Sequence, residues 1–195
     1  MKIVRELLTN PISPIKKARK KKNLIEVMNV LVLSSIITAL SIGIVVLKLY
    51  SSPLTGLELY ISAAVAAVVF MIVFFMLSLF GFIIKIIAVN LGGRGKYLEG
   101  LTCIAYASIA PSIGILISSL MLYVPFNIII SAVIVAVTTA LGLSTLYRSV
   151  KELFRMDMIT TLVTVSIFFM TMLSVIYIVV LLNGLTKIAT LSAAI

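Results

Sequence analysis

The turn GGRGK at residues 92–96 holds residue types that often surround a bound phosphate. The backbone amides of such a turn, together with its two cations, can hold a headgroup phosphate or a partner's carboxylate. The spacing does not match a P-loop, because Tyr97 follows the lysine where Ser or Thr is needed and Asn90 replaces the first glycine. A dinucleotide fingerprint is excluded too, since no βαβ unit accommodates this turn. The turn is therefore either a plain connection, which we favour, or a site for an anion.

The titratable residues form no catalytic arrangement. The chain has six acidic residues and no histidine, and no acidic residue lies deep inside an apolar segment. Cys103 is the single cysteine, so an internal disulfide is excluded, and no neighbouring His or Asp activates its thiol. The lack of histidine also excludes a Cys/His zinc site. We expect no enzyme activity, no catalytic residue, no metal ion and no cofactor.

A stripe of hydroxyls lies in the last apolar segment, at Thr160, Thr164, Thr171 and Ser174. At 100° per residue the four positions fall within about 80° of one another on a helix. They either line a polar path for a small solute, or bond to other helices and to carbonyls of their own helix. We favour the second interpretation.

The segments that position these residues are strongly apolar. The chain of 195 residues is 62% hydrophobic and 11% charged, and its mean hydropathy is +1.28, which predicts an all-α integral membrane protein. A membrane helix needs about 20 apolar residues. Runs of that length predict a bundle of five transmembrane helices, at about 27–47, 59–84, 101–124, 126–147 and 158–184. Pro125 predicts a tight hairpin between the third and fourth.

The cations predict the orientation of the bundle. If the N-terminus lies in the cytoplasm, only Lys48 and Lys187 of the 16 Lys and Arg residues lie on the external side of the membrane. This distribution follows the positive-inside rule, so we expect a cytoplasmic N-terminus and an external C-terminus. Because topology accounts for the net charge of +10, no nucleic-acid partner is expected.

The first 26 residues form a basic, partly amphipathic segment before the transmembrane domain, residues 27–195. Ile3 to Leu8 have the spacing of a short amphipathic helix, and Asn10-Pro11 and Ser13-Pro14 are expected to end it. A cluster of cations follows, which is either a topology signal or a contact for anionic lipid headgroups. Arg94 of the glycine turn is a further candidate for a headgroup contact. The cluster is Lys16, Lys17, Arg19, Lys20, Lys21 and Lys22.

Small residues repeat at helical spacing in three segments. Such rows let helix backbones approach closely, and we favour packing inside the bundle over a dimer interface. Pro111 and Gly114 are expected to kink or weaken the third helix. The rows are Ala132, Ala136, Ala140 and Ser144 in the fourth segment, Ala110, Gly114 and Ser118 in the third, and Ala63 and Ala67 in the second.

Residues 91–114 resemble the Yip family of Ypt-interacting membrane proteins, especially its prokaryotic branch. The resemblance implies five spans with a cytoplasmic N-terminus. Eukaryotic members act in vesicle traffic and contact Rab-type GTPases through a sizeable cytosolic N-terminal region; only about 26 residues precede the first span here, so that partner is not carried over. The matching positions are Gly92, Gly93, Gly95, Lys96, Tyr97, Glu99, Tyr106, Ala107 and Pro111.

Two functions from different classes remain open. The first is a non-enzymatic protein of the prokaryotic plasma membrane that organises lipids, a membrane protein partner or a homo-oligomer through its basic cytoplasmic face. The alternative is a passive permease or channel for a small neutral or weakly polar solute.

Overall fold

The computed structural model describes residue 6 and residues 12–20, 23–49, 57–124 and 128–192. Within these ranges the side chains at 12, 13, 20, 57, 58, 175, 176 and 178–192 are not described. The described residues are helical or lie in short turns, which agrees with the predicted all-α class. The helices are α1 (Ile12–Lys20), α2 (Leu24–Leu49), α3 (Leu57–Asn90), α4 (Tyr97–Met121), α5 (Ile128–Phe154) and α6 (Met158–Ser192).

Helices α2, α3, α4 and α5 are each long and apolar enough to cross a membrane. The fifth predicted span begins in α6, whose described apolar part is Met158–Ser174. Helix α4 ends at Met121 and α5 begins at Ile128, so the third and fourth segments are separate helices as predicted. Pro125 lies outside the described residues.

Helix α4 is the centre of the bundle and contacts α2, α3 and α5. Glycines allow these contacts. A Cβ on Gly81 of α3 would lie 2.9 Å from Leu101 Cα, and a Cβ on Gly142 of α5 would lie 2.7 Å from Pro111 Cγ. A Cβ on Gly114 would overlap the side chain of Thr138. Side chains at these positions would push α4 away from its neighbours.

Pro111 lies inside α4, and the helix continues through it. A proline has no N–H, so the carbonyl of Ala107 loses its partner within the helix. Gly142 of α5 approaches that carbonyl so closely that a Cβ would lie 2.8 Å from its oxygen. The proline and the glycine therefore belong to one contact between α4 and α5.

Hydroxyl pairs join α2 to α4. Ser34 Oγ lies 3.0 Å from Ser108 Oγ, and Thr38 Oγ1 lies 3.0 Å from Ser112 Oγ. Ser34 and Ser112 are buried. These bonds satisfy buried polar groups across the crossing, where lipid supplies no hydrophobic drive for association.

Two of the three rows of small residues do not pack inside the bundle. Ala110 and Gly114 of α4 are buried, as predicted. On α5, however, the whole row from Ala132 to Ser144 is exposed, as are Ala63 and Ala67 of α3. The prediction of internal packing is wrong for these rows, because α5 turns a different face, around Gly142 and Leu146, toward the core.

The basic N-terminal segment also differs from the prediction. Ser13-Pro14 does not end a helix; it lies in the first turn of α1, where proline is tolerated. Ile15 is completely buried, and Arg19 Nη1 lies 3.1 Å from Glu152 Oε2 of α5. The segment is thus held on the end of the bundle. The predicted amphipathic piece, Ile3 to Leu8, lies outside the described residues except for Glu6.

Replacing Gly142 by leucine should separate α4 from α5, because the new side chain would overlap Pro111 and the Ala107 carbonyl. Overpacking of this kind costs about 1–3 kcal/mol. We expect a lower melting temperature for the full chain in detergent, followed by thermal unfolding. Ala64→Leu adds similar bulk at an exposed position of α3 and should leave the melting temperature nearly unchanged. Equal melting temperatures for the two variants would contradict this packing.

Candidate functional site: the basic end of the bundle

The glycine turn begins as a Schellman motif at the end of α3. The Gly93 N–H donates to the Ala88 carbonyl at 2.8 Å, and the Gly92 N–H donates to the Val89 carbonyl at 3.1 Å. Gly92 has a φ of 88°, in the left-handed region that favours glycine. This turn therefore favours glycine at position 92 for its backbone conformation.

The next two glycines make room for side chains at the end of α5. A Cβ on Gly95 would lie 2.5 Å from the ring of Phe154, and one on Gly93 would lie 3.0 Å from Met156 Sδ. Between them, the Arg94 N–H donates to the Phe154 carbonyl at 2.9 Å. The turn is thus packed on, and hydrogen-bonded to, the connection between α5 and α6.

Helix α5 ends in a second Schellman motif. The Met156 N–H donates to the Lys151 carbonyl at 3.1 Å, which places Arg155 where Gly92 stands in the first motif. Arg155 has a φ of 55°, so a residue with a Cβ occupies the left-handed region. That conformation costs about 1–2 kcal/mol for a residue other than glycine.

The first turn of α4 follows the glycine turn directly. The Lys96 N–H donates to Glu99 Oε2 at 2.8 Å, which caps the helix. Glu99 is 6% exposed. The Tyr97 hydroxyl donates to the Ser78 carbonyl of α3 at 3.2 Å, and its ring meets that of Phe82 edge-on. These contacts fix the start of α4 against α3.

Tyr106 lies deeper in α4 and is 2% exposed. Its hydroxyl donates to Glu26 Oε1 of α2 at 3.3 Å. With Pro111 at the α5 contact, most of the residues that carry the family resemblance lie at contacts of α4 or of the turn that precedes it, whereas Gly92 and Lys96 are exposed. Their arrangement is that of a packing motif.

The end of α1, the glycine turn and the end of α5 enclose a cleft of about 330 Å³. Among the described side chains, four cations line it: Arg19 from α1, Arg94 and Lys96 from the turn, and Arg155, which directly follows α5. Glu99 is the acidic residue of this lining. We call the end of the bundle that bears α1, this cleft and the α5–α6 connection the basic end.

The cations predicted to contact headgroups have different positions. Lys16, Lys17 and Arg19 are exposed on α1, and Arg94 is exposed in the cleft. The side chain of Lys20, together with Lys21 and Lys22, lies outside the described residues. Sequence reasoning missed Arg155 as a site residue. Its signal is a cation directly after a helix, in the position where a helix end often has glycine.

The predicted hydroxyl stripe of α6 bonds within its own helix. Thr164, Thr171 and Ser174 each donate to the carbonyl four residues earlier, at 2.8–2.9 Å. The Thr160 hydroxyl bonds to the Asp157 carboxylate at the start of α6. Each hydroxyl of the stripe is thus hydrogen-bonded within α6 or to the residue that directly precedes it.

A second cavity, of about 360 Å³, lies inside the membrane-spanning region and is lined by residues of α2, α3, α4, α5 and α6. Its walls are mainly apolar, with Phe80, Pro111 and Phe168 among them. Four hydroxyls also face it, from Thr38, Ser108, Ser112 and Thr139. No residue of the α6 stripe is in this lining.

The described residues bring together no group of three His, Cys, Asp or Glu side chains that could hold a metal ion. Cys103 is completely buried in α4. The basic end, with its cleft, is therefore where charged side chains from separate segments meet.

The model of the Yip1 domain matches residues 5–181. The chain belongs to the Yip1 domain family. This match confirms the resemblance inferred from the glycine turn and α4, and with four long apolar helices it makes the chain a multi-pass membrane protein. Searches of the curated proteins and of the solved structures find no match. The Yip1 domain match includes α1 and the cleft as well as the spanning helices.

The start of α6 in this Yip1 domain should respond to pH through Asp157. Hydrogen bonds from the Thr160 hydroxyl and from the amides of Thr160 and Ile159 hold the pKa of the Asp157 carboxyl below its usual value. Because the folded-state pKa is the lower one, the stabilisation is complete above the unfolded-state pKa. It is lost as the pH falls through the folded-state value.

Melting temperatures of the wild type and of Asp157→Ala, measured in detergent from pH 7 down to pH 3, test this expectation. The difference should be largest at pH 7 and should shrink at the acidic end. Asp157→Asn keeps a capping oxygen without a titrating group, so its melting temperature should stay near that of the wild type at pH 7. A pH-independent difference between wild type and Asp157→Ala would contradict this account.

Proposed function

We propose that this Yip1 domain protein organises anionic lipids at one face of the membrane through its basic end, without catalysing a reaction. The observation that carries the proposal is the fixed position of α1. Ile15 is buried, and Arg19 pairs with Glu152 of α5. Lys16 and Lys17 remain exposed, and Lys17 also forms an ion pair with Glu6 at 2.8 Å. Each such cation attracts anionic headgroups by about 1 kcal/mol near a membrane surface.

A charge that serves only to orient the chain during insertion needs no fixed structure. Here the cations belong to a helix that packs on the bundle, so they form a defined surface. This supports a role for residues 1–26 as the lipid-contact segment and for residues 27–195 as its transmembrane support.

The distribution of charge supports a cytoplasmic position for the basic end. The cations with described side chains lie near this end, apart from Lys48, which bonds to the Leu122 carbonyl at the opposite end. By the positive-inside rule the basic end faces the cytoplasm. We propose five spans, because α6 has 35 residues and, at 1.5 Å per residue, a length of about 50 Å. The proposed location is the plasma membrane of a prokaryote.

Self-association or contact with another membrane protein is a second way in which the chain could organise the membrane. The exposed small residues of α5, from Ala132 to Ser144, support this mode because they would allow a second helix to approach closely. The permease alternative has less support: the intramembrane cavity is mainly apolar, and the hydroxyls of α6 bond to their own helix.

Replacing Lys16 and Lys17 together by glutamine should reduce the enrichment of anionic lipid around the protein. The full chain is extracted from mixed phosphatidylglycerol and phosphatidylcholine membranes in polymer-bounded discs, and both lipids are quantified by mass spectrometry. Removing two exposed cations should lower the ratio of phosphatidylglycerol to phosphatidylcholine by about twofold or more.

The matched control is the double variant Lys16→Arg, Lys17→Arg, which keeps both charges and should keep the lipid ratio. An unchanged ratio in the glutamine variant, with an unchanged melting temperature, would overturn the proposed function.

A further inference from the structure

The cleft at the basic end collects its cations from three separate parts of the chain. Arg19 lies at the end of α1, Arg94 and Lys96 lie in the glycine turn, and Arg155 directly follows α5. Its volume of about 330 Å³ falls within the range of small-molecule sites, which begins near 300 Å³. Like charges brought together by folding repel one another, so their convergence needs a compensating partner.

The described carboxylates in and beside the cleft compensate part of this charge. Glu152 pairs with Arg19, and Glu99 accepts the N–H of Lys96. In the part of the chain that the structure describes, no carboxylate lies within ion-pair distance of Arg94, Lys96 or Arg155. Among the described side chains, the four cations of the lining face one carboxylate of the lining, Glu99, and one beside it, Glu152, which leaves these six groups with a net charge of two positive.

Arg155 shows that a cation is placed here at a conformational cost. The same motif ends α3 with Gly92 at the equivalent position, without strain. A cation near a helix C-terminus is favourable, but Lys151 already supplies one in the last turn of α5. The helix dipole therefore does not explain why position 155 holds an arginine in a left-handed conformation.

Lys96 lies at the opposite kind of helix end. It precedes the first turn of α4, where the positive end of the helix dipole disfavours a cation and favours an anion. An anion bound in the cleft would interact favourably with Arg94, Lys96, Arg155 and the start of α4 together.

We propose that this cleft binds the dianionic phosphate of a phosphomonoester, held by Arg94, Lys96 and Arg155, with Arg19 at its margin. The inference deepens the proposed lipid-organising function and rests on it. The phosphate belongs either to a lipid headgroup or to a small soluble molecule. A phosphodiester headgroup carries one negative charge and would leave half of the site's excess charge uncompensated.

The test is a titration of the full chain in detergent, followed by native mass spectrometry. The probes are phosphatidic acid, which is a phosphomonoester lipid, phosphatidylglycerol, which is a phosphodiester, and glycerol 3-phosphate. Phosphatidic acid should bind about tenfold more tightly than phosphatidylglycerol, as expected for one additional charge-assisted interaction. Arg94→Gln and Arg155→Asn should each abolish this preference. Asparagine tolerates the left-handed conformation, so the turn is kept.

The soluble probe distinguishes the two sources of phosphate. Binding of glycerol 3-phosphate that is lost in the same two variants supports a soluble ligand, whereas a preference confined to phosphatidic acid supports a lipid headgroup. Equal affinity for phosphatidic acid and phosphatidylglycerol without binding of glycerol 3-phosphate, or a preference that survives in both variants, would overturn the proposal.

Two further variants separate this proposal from the proposed function and from misfolding. The Lys16→Gln, Lys17→Gln protein should keep the preference for phosphatidic acid. General lipid enrichment is thus tested at Lys16 and Lys17, whereas phosphate binding in the cleft is tested at Arg94 and Arg155. Arg155→Gly should raise the melting temperature of the ligand-free protein, because strain is relieved, and should still lose the preference. A lower melting temperature with an intact preference would overturn the role of Arg155.

Discussion

The bundle depends on the close approach of α4 to its three neighbours, and that approach depends on small residues at each crossing. Gly81 meets α4 from α3, Gly142 meets it from α5, and serine pairs such as Ser34 and Ser108 join it to α2. In lipid, helices gain little by hiding apolar surface from one another, so short distances between backbones supply the attraction. Once α4 is held in this way, its first turn brings the glycine turn against α5. The cleft at the basic end is a consequence of that position.

Much of the fold follows from the sequence because the lengths of the apolar runs are set by membrane thickness. The separation of α4 from α5 was predictable on the same ground. The sequence did not predict which face of each helix points toward the core. The row from Ala132 to Ser144 has the spacing of a packed face, yet it is exposed, since Gly142 and its neighbours lie on another side of α5 and fit Pro111 better. Small residues allow close approach on either side of a helix, and only the partner determines which side is used.

The candidate site was predicted in part, through its turn. The glycines were recognisable in the sequence, but they have different structural roles. Gly92 adopts a left-handed backbone conformation, whereas Gly95 makes room for the ring of Phe154, which is distant in sequence. Arg155 could not be placed in the same cleft as Arg94 from the sequence, because the cleft depends on how two helix ends meet. Helix α1 was missed since Ser13-Pro14 has the composition of a stop, although a proline is also accepted in a first turn.

The hydrogen bond from the Arg94 amide to the Phe154 carbonyl also has a mechanical consequence. The turn that carries it joins α3 to α4, and its acceptor lies where α5 gives way to α6, so four helices converge on one tether. A rigid helix that rotates about a fixed contact moves most at the end farthest from that contact. For α3, with 34 residues and a length of about 50 Å, a rotation of about 5° at the tether moves the far end by roughly 4 Å. If the helices rotate about this contact, the width of the bundle changes least beside the basic cleft and most at the opposite end.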